Sequence, residues 1–357
     1  MISIIGAGPA GSYSAYLLAK DGYEVRVYEE HKQIGNPIQC SGVITPALDG
    51  LLKIRKNIIV NKIKKFRFYS PNGKFFEIDI KPDYIFDRGE LDRYVASLAQ
   101  DAGAKFLTEK KFLDFEKNKD KLKLKFNDGF INTEKLIGAD GPYSQVAKSA
   151  GLFGTRKYIT GMQARCKIPE HDKEVTDIFL GYGEFAWLIP ENENVARIGL
   201  VSEKNPTEEF KKLIQRCNAN FISYQSGMIP LYNSKIKTQK NNVYLIGDAA
   251  TQVKASTHGG ILYSMLAGKA LHQSIKEDKS YEKLWKKEIG FNLWLNLKIR
   301  NTLINFNEKD YNKLVEYFTQ EKLKKILSNN VRDFPSKFLL NMLMKEPRLL
   351  RYSLKAL

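Results

Sequence analysis

The chain has 357 residues, enough for two or three domains around a substantial core. Lys and Arg number 57 against 40 Asp and Glu, a net charge of +17 that favours an anionic partner; the basic residues are spread out, with no arginine-rich tail or zinc-finger spacing, so no nucleic-acid partner is expected. Cys40, Cys166 and Cys217 lie far apart and the four histidines are scattered, which proposes no disulfide framework and no metal centre and points to a reducing cytoplasm.

In chain order, ISII is the first strand pattern; it begins at Ile2 and leaves no room for a secretory signal. PAGSYSAYLLAKDG follows as a helix that Gly22 closes, with Tyr13, Tyr16, Leu17 and Leu18 available for packing. YEVRVYEE is a second strand with Val25 and Val27 on one face. KIKKFRFYSPNGKFFEIDI predicts a hairpin turning at Asn72-Gly73. RGELDRYVASLAQDAGA predicts a helix, KFL opens a strand, and KLKLKFNDGF alternates and turns at Asp128-Gly129. KLIGADG is a strand ending in a glycine-flanked Asp140. From about 155 to 235 the pattern is strand-like, with one helix near PTEEFKKLIQRCNA. NNVYLIGDAA is another strand, a helix follows from about Ile261, and beyond 276 the chain is helical and basic. No apolar run is long enough to span a bilayer. The expected class is α/β. The expected domains are a discontinuous nucleotide-binding domain (1–55, 80–155 and 236–275), a β-sheet substrate domain (56–79 and 156–235) and a helical C-terminal region (276–357).

The opening turn, Gly6-Ala7-Gly8-Pro9-Ala10-Gly11, fits G-x-G-x-x-G. In such a turn the first glycine permits the bend, the second lets the backbone approach a pyrophosphate and the third lets helix and strand pack closely. The helix N-terminus then offers free N–H groups to phosphate. Glu29 ends the second strand, 18 residues beyond Gly11, where a carboxylate accepts ribose hydroxyls. Strand alternation after Val25 and Val27 favours Glu29 over Glu30.

Three further segments carry a resemblance: FDRGELDRYV, with Arg88 before a helix; IGADGPYSQV; and LIGDAATQVKASTHGGI, with Asp248 at a strand end and glycines at the next helix start. With them the chain resembles flavoproteins of the glutathione-reductase-like fold that includes the class A hydroxylases. The resemblance implies FAD. It gives Asp248 a hydrogen bond to the ribityl chain and sets Ala250, Gly259, Gly260 and Ile261 along the flavin, with the following helix pointing its N-terminus at the ring. Arg88 would contact FAD, and backbone near Phe112 would meet the adenine.

GNPIQCSG sharpens the resemblance. Pro37, Cys40, Ser41 and Gly42 match the P-x-x-x-C-(small)-G segment of the geranylgeranyl reductase family. The family's Y-x-W-x-F-P segment is similar to FAWLIP, where Trp187 and Pro190 are kept while Phe185 and Ile189 differ. Its T-G-G-G-I becomes THGGI, with His258 in place of a glycine. The resemblance covers most of the chain. It implies an FAD enzyme that saturates isoprenoid double bonds, hydride going from reduced flavin N5 to one alkene carbon and a proton to the other. Archaeal members act on digeranylgeranylglycerophospholipids; plant and bacterial members act on geranylgeranyl diphosphate or geranylgeranylated chlorophyll. Cys40, with the Ser41-Gly42 backbone, is expected on the flavin's substrate side, shaping the alkene site or relaying a proton, and His258 is an acid–base candidate. Tyr182, Phe185, Trp187 and Ile189 are candidates for the wall of an apolar tunnel, with ordinary strand packing as the alternative.

The expected partners are a polyprenyl lipid and an external electron donor: ferredoxin, NAD(P)H or a deazaflavin. The basic, apolar segments YEKLWKKEIGFNLWLNLKIR and KFLLNMLMKEPRLLRYSLKAL either lie on an anionic bilayer or pack on the rest of the protein. The expected location is the cytoplasm, with peripheral contact at the inner face of the membrane. Two readings remain beside this one: an FAD monooxygenase or halogenase-like enzyme, and a non-enzymatic prenyl-lipid carrier.

Overall fold

The structure is a computed structural model that describes residues 1–356. The chain forms two compact units. The first comprises Met1–Ile38, Arg88–Lys157 and Pro230–Trp294; the second comprises Gln39–Asp87, Tyr158–Ile229 and the chain from Leu295 onward.

The first unit is built on a six-stranded sheet in the order Gln239–Lys240, Val243–Leu245, Lys135–Gly138, Ile2–Ile5, Val25–Tyr28, Lys105–Leu107. Its pairs are parallel except at the Gln239–Lys240 edge. Strands covered on both faces need near-continuous apolar runs, and Ile2–Ile5 is buried at all four positions. The helix Pro9–Lys20 packs against the helices Arg88–Asp101 and Ile261–Glu277. A three-stranded antiparallel sheet (Phe112–Asn118, Lys121–Phe126, Gly129–Thr133) contributes Phe112, Leu124 and Phe126 to a core with Tyr28, Val146 and Leu245.

The second unit is an eight-stranded sheet in the order Asn220–Pro230, Tyr158–Lys167, Val195–Ser202, Phe185–Pro190, Val175–Phe179, Ile59–Tyr69, Phe75–Phe86, Val43–Ile44. Alternation divides its residues between two faces. One face packs Met162, Ala164, Leu188 and Ile198 against Phe210 and Leu213 of the helix Pro206–Arg216. Another cluster packs Phe66, Phe76 and Ile78 against the C-terminal helices, through Val315, Leu323 and Met342. The first of those helices, Glu308–Phe318, starts in a capping box, with Asn307 and Asp310 each satisfying the other's backbone N–H.

The two units divide the chain at other points than the expected domains. Residues 39–55 and 80–87 belong with the large sheet. The strand Phe75–Phe86 runs unbroken through position 80 and pairs with Val43–Ile44 at its far end. The C-terminal region is also split. Tyr281 donates to the Leu245 carbonyl at 3.0 Å and Trp285 Nε1 to Thr238 Oγ1 at 2.8 Å, so this part joins the first unit, while the later helices cover the second unit's sheet. No helix among the described residues is long and apolar enough to cross a membrane.

Candidate functional site

The three glycines of the opening turn are required for different reasons. Gly6 has φ +99°, and a Cβ there would run into the Ala139 carbonyl. A Cβ at Gly11 would overlap the Gly6 carbonyl, so the helix closes onto the turn only with glycine. Gly8 is the N-cap of Pro9–Lys20 in an extended conformation, and a Cβ there would meet nothing within 4 Å. The protein's own packing does not demand glycine at Gly8. The open space it leaves lies beside the N–H groups of a helix start, the place a phosphate occupies in this kind of turn. Ala10 is buried, with its Cβ against the backbone of Gly247, whose φ is +63°.

Of the two acids after the second strand, Glu29 faces the turn. The Ala7 N–H donates to Glu29 Oε2 at 2.9 Å, and the His31 N–H and Nδ1 approach Oε1 at 3.0 and 2.6 Å. Glu30 points elsewhere and pairs with Lys111 at 3.7 Å. Arg88 is buried at the start of its helix and pairs with Asp92 at 2.8 Å. Burial pushes the Asp92 carboxyl up, and the Arg88 charge opposes that.

Asp248 stands in the tight turn Gly247–Ala250 after the strand Val243–Leu245. Its carboxylate lies close to Gly260, the N-cap of Ile261–Glu277; a Cβ on Gly260 would sit 3.2 Å from Oδ1. Burial pushes the Asp248 carboxyl up to about 6, with Arg88 and Arg156 pulling the other way. Ala250 packs into the core of the first unit, so its backbone rather than its side chain belongs to the turn. In the next loop His258 has φ +53°, the left-handed region that glycine enters without cost. Gly259 follows, its α-carbon facing the Lys254 side chain. The Phe112 ring is buried edge-to-face on Phe126, at 6.0 Å, leaving only its backbone for any ligand.

Gly6, Ala10, Gly11, Glu29, Asp248 and Gly260 are thus linked by contacts around the starts of two helices, with open space at Gly8 beside the first and the Arg88 charge acting on Asp248. Two supporting residues escape a reading of the sequence. Arg156 donates to the Ala249 carbonyl at 2.8 Å and reaches the carbonyls of Asp248 and Pro142 at 3.4 Å. Gln252 accepts the Gly247 N–H at 2.9 Å. Their acceptors and donors are backbone groups, which carry no sequence signal.

In the second unit, Cys40, Ser41 and Gly42 form a turn with Gly42 at φ +75°. The Gly42 N–H points to Cys40 Sγ at 3.4 Å. Cys40 is a partly exposed free thiol, whereas burial raises the thiols of Cys166 and Cys217 to about 11 and about 12. Phe185 and Trp187 lie 5.7 Å apart, and the Trp187 indole donates to Gln163 Oε1 at 2.9 Å. Ile189, on the same side of the strand, packs with Ile63, Ile85 and Trp187. Tyr182 does not join them. It packs edge-to-face on Phe179 at 6.4 Å, beneath Arg216, in the cluster that covers the helix Pro206–Arg216. The turn Gly181–Gly183 takes Tyr182 out of the strand's alternation, which begins at Phe185.

The C-terminal segments divide likewise. Tyr281, Trp285, Ile289 and Leu293 are buried, as their helical spacing requires, while Phe291 and Trp294 are exposed and stacked at 5.8 Å. Leu340, Met344 and Leu350 are 68%, 65% and 50% exposed.

The chain is similar to known proteins along its length. The family described as an NAD(P)-binding Rossmann-like domain matches residues 4–41. The digeranylgeranylglycerophospholipid reductase of Methanosarcina acetivorans is 29% identical, over 100% of this chain and 95% of that protein. The protein of the same name from Methanocaldococcus jannaschii is 28% identical, over 98% and 96%. Among solved structures, a geranylgeranyl bacteriochlorophyll reductase-like protein from Thermoplasma acidophilum superposes with a TM-score of 0.84 at 21% identity, covering 100% of this chain and 98% of that one. CmlS, a flavin-dependent halogenase, gives 0.72 at 15% identity, covering 93% and 73%. Identities this low make the two solved structures evidence of fold alone.

Proposed function

We propose that the chain is a member of the geranylgeranyl reductase family, an FAD-dependent reductase that saturates the isoprenoid double bonds of geranylgeranyl chains, on an archaeal-type digeranylgeranylglycerophospholipid. The observation that carries the reading is end-to-end similarity to reductases of that name, in a chain that keeps an open cradle at Gly8.

The residues present fit a dinucleotide. Gly8 leaves room beside a helix N-terminus, Glu29 offers a carboxylate at the end of the second strand, and Arg88 adds a cation. Asp248, against the start of Ile261–Glu277, would hold the ribityl chain. Bound there, FAD supplies the hydride, having been reduced by an external donor. The protein's task is to orient a long apolar chain and to deliver a proton to the second alkene carbon. Phe185 and Trp187, both partly exposed, would offer an apolar surface for the chain, with Ile189 buried against Trp187, Ile63 and Ile85. Cys40 and His258 are the proposed proton-handling or site-shaping residues.

The lipid's anionic head and membrane origin suit the net charge of +17. Leu340, Met344 and Leu350, exposed among Lys337, Lys345 and Arg351, form an amphipathic basic surface suited to peripheral contact with an anionic bilayer. The test is co-sedimentation with anionic and neutral vesicles across a salt series. Binding should favour the anionic vesicles and weaken as salt rises. Equal binding to both, or none, removes the membrane contact but leaves the reductase reading in place. For the reductase itself, mass spectrometry of lipid incubated with the reduced protein should show two hydrogen atoms added per bond.

A further inference from the structure

Three consecutive carbonyls of the Cys40 turn are each held by a donor from a different strand of the eight-stranded sheet. The Gln225 side-chain amide donates to the Cys40 carbonyl at 3.1 Å. Arg197 Nη1 donates to the Ser41 carbonyl at 2.6 Å. The Phe86 N–H donates to the Gly42 carbonyl at 2.9 Å. Arg197 Nη1 also reaches the Phe86 carbonyl at 2.9 Å, so a single guanidinium nitrogen bridges the turn and the strand it docks on.

Arg197 is itself oriented. Its Nε donates to Glu191 Oε1 at 2.8 Å, and the other oxygen of Glu191 takes Arg165 Nε at 2.6 Å. The side chains of Arg197 and Glu191 are 11% and 7% exposed. A charged pair this well covered does little for stability compared with apolar packing of the same volume, so it points to a role beyond cohesion. The role available here is directional. A planar fork with fixed donors sets the position of a carbonyl far better than a hydrophobic contact does. The strand Val43–Ile44 is only two residues long, so backbone pairing alone holds the turn poorly. With all three carbonyls fixed and the Gly42 N–H on Cys40 Sγ, the direction of the thiol is determined by the sheet.

We propose that Arg197, braced by Glu191, and Gln225 are positioning residues that hold the Cys40 thiol in its working orientation. The proposal rests on the reading of Cys40 as a residue that serves the alkene reaction.

The experiment uses FAD-loaded full-length protein with Cys217→Ser as the background, since Cys166 is fully buried. The variants are Arg197→Met, Arg197→Lys and Gln225→Leu. Two quantities are read: the alkylation rate of Cys40 by iodoacetamide, and kcat and KM for anaerobic reduction of a geranylgeranyl lipid. Arg197→Met should speed alkylation at least threefold and lower kcat about tenfold, with KM and FAD content close to the parent. Arg197→Lys should restore part of both, and Gln225→Leu should show smaller changes in the same direction. If Arg197→Met does not fold, Gln225→Leu decides the matter. Parental alkylation and parental kcat in folded, FAD-loaded variants would overturn the proposal. Cys40→Ala separates the two ideas: parental turnover in that variant removes the catalytic reading of Cys40, while the alkylation rates still report whether Arg197 and Gln225 orient the thiol.

Discussion

Glu29 and Ala7 are joined across the nucleotide-type turn, the Ala7 N–H donating to the Glu29 carboxylate at 2.9 Å. The end of the second strand thereby holds the turn that the first strand enters. A Cβ added to the glycine that follows Ala7 would meet nothing within 4 Å.

That contrast makes Gly8 and Gly11 separable. Gly8→Val should leave the melting temperature of the FAD-free protein nearly unchanged and yield colourless protein, because the added side chain occupies only the cradle. Gly11→Ala should destabilise the fold by about 3 kcal/mol, since its Cβ overlaps the Gly6 carbonyl. Calorimetry and flavin absorbance check both. A yellow Gly8→Val variant with full FAD content would place the cofactor elsewhere.

Asp248 should give the FAD-free protein a pH signature. Burial raises its carboxyl from 3.8 to about 6, so the native state favours the protonated form and the ionised form works against folding. The contribution to stability is fully present below about pH 4 and lost as pH rises through about 6. Asp248→Asn should therefore raise the melting temperature of FAD-free protein at pH 7 to 8, the gain vanishing below about pH 4, while FAD affinity falls. A gain that is constant with pH would mean that Asp248 does not titrate in this window.

His258 occupies a left-handed conformation at φ +53°. His258→Gly should stabilise the protein by about 1 kcal/mol, the backbone strain relieved outweighing the added freedom of the unfolded chain. Under the proposed acid–base role, the same variant should lose turnover and flatten its dependence on pH between 5 and 8. Turnover identical to the parent across that range would remove the role and leave a loop residue only.

Gly199 lies under the Trp187 ring, where a Cβ would come within 2.5 Å of the indole and 2.7 Å of the Met162 carbonyl. Gly199→Ala should cost about 2 kcal/mol and displace the indole, altering preference among prenyl chain lengths. Tyr182→Ala, on the cluster beside Pro206–Arg216, should leave that preference unchanged. Competition between geranylgeranyl and shorter prenyl substrates reads both; a change in preference for Tyr182→Ala would restore that residue to the wall.

How much of this could be read beforehand follows the range of the interactions. Gly6, Gly11 and Glu29 are legible because their roles depend on spacing within one strand–helix–strand unit. The hairpin at Asn72-Gly73 is likewise local, and it forms as expected between Ile59–Tyr69 and Phe75–Phe86. Tyr182 lies only three residues before the strand yet packs on the other cluster, a difference that no local period shows. Val43–Ile44 is too short to show a period, so its pairing with Phe75–Phe86 carries no sequence signal. Arg197 and Arg156 could not be found from the sequence, since their partners are carbonyls brought close only by folding.

Flavin-dependent saturation of a prenyl lipid can be read in one anaerobic measurement. Chemically reduced, FAD-loaded protein is mixed with digeranylgeranylglycerophospholipid, flavin absorbance is followed, and the lipid is then weighed by mass spectrometry. A reductase should reoxidise its flavin without oxygen, with two hydrogen atoms added to the lipid per flavin reoxidised. Flavin that stays reduced until oxygen is admitted, with lipid of unchanged mass, would contradict it and favour an oxygen-dependent enzyme.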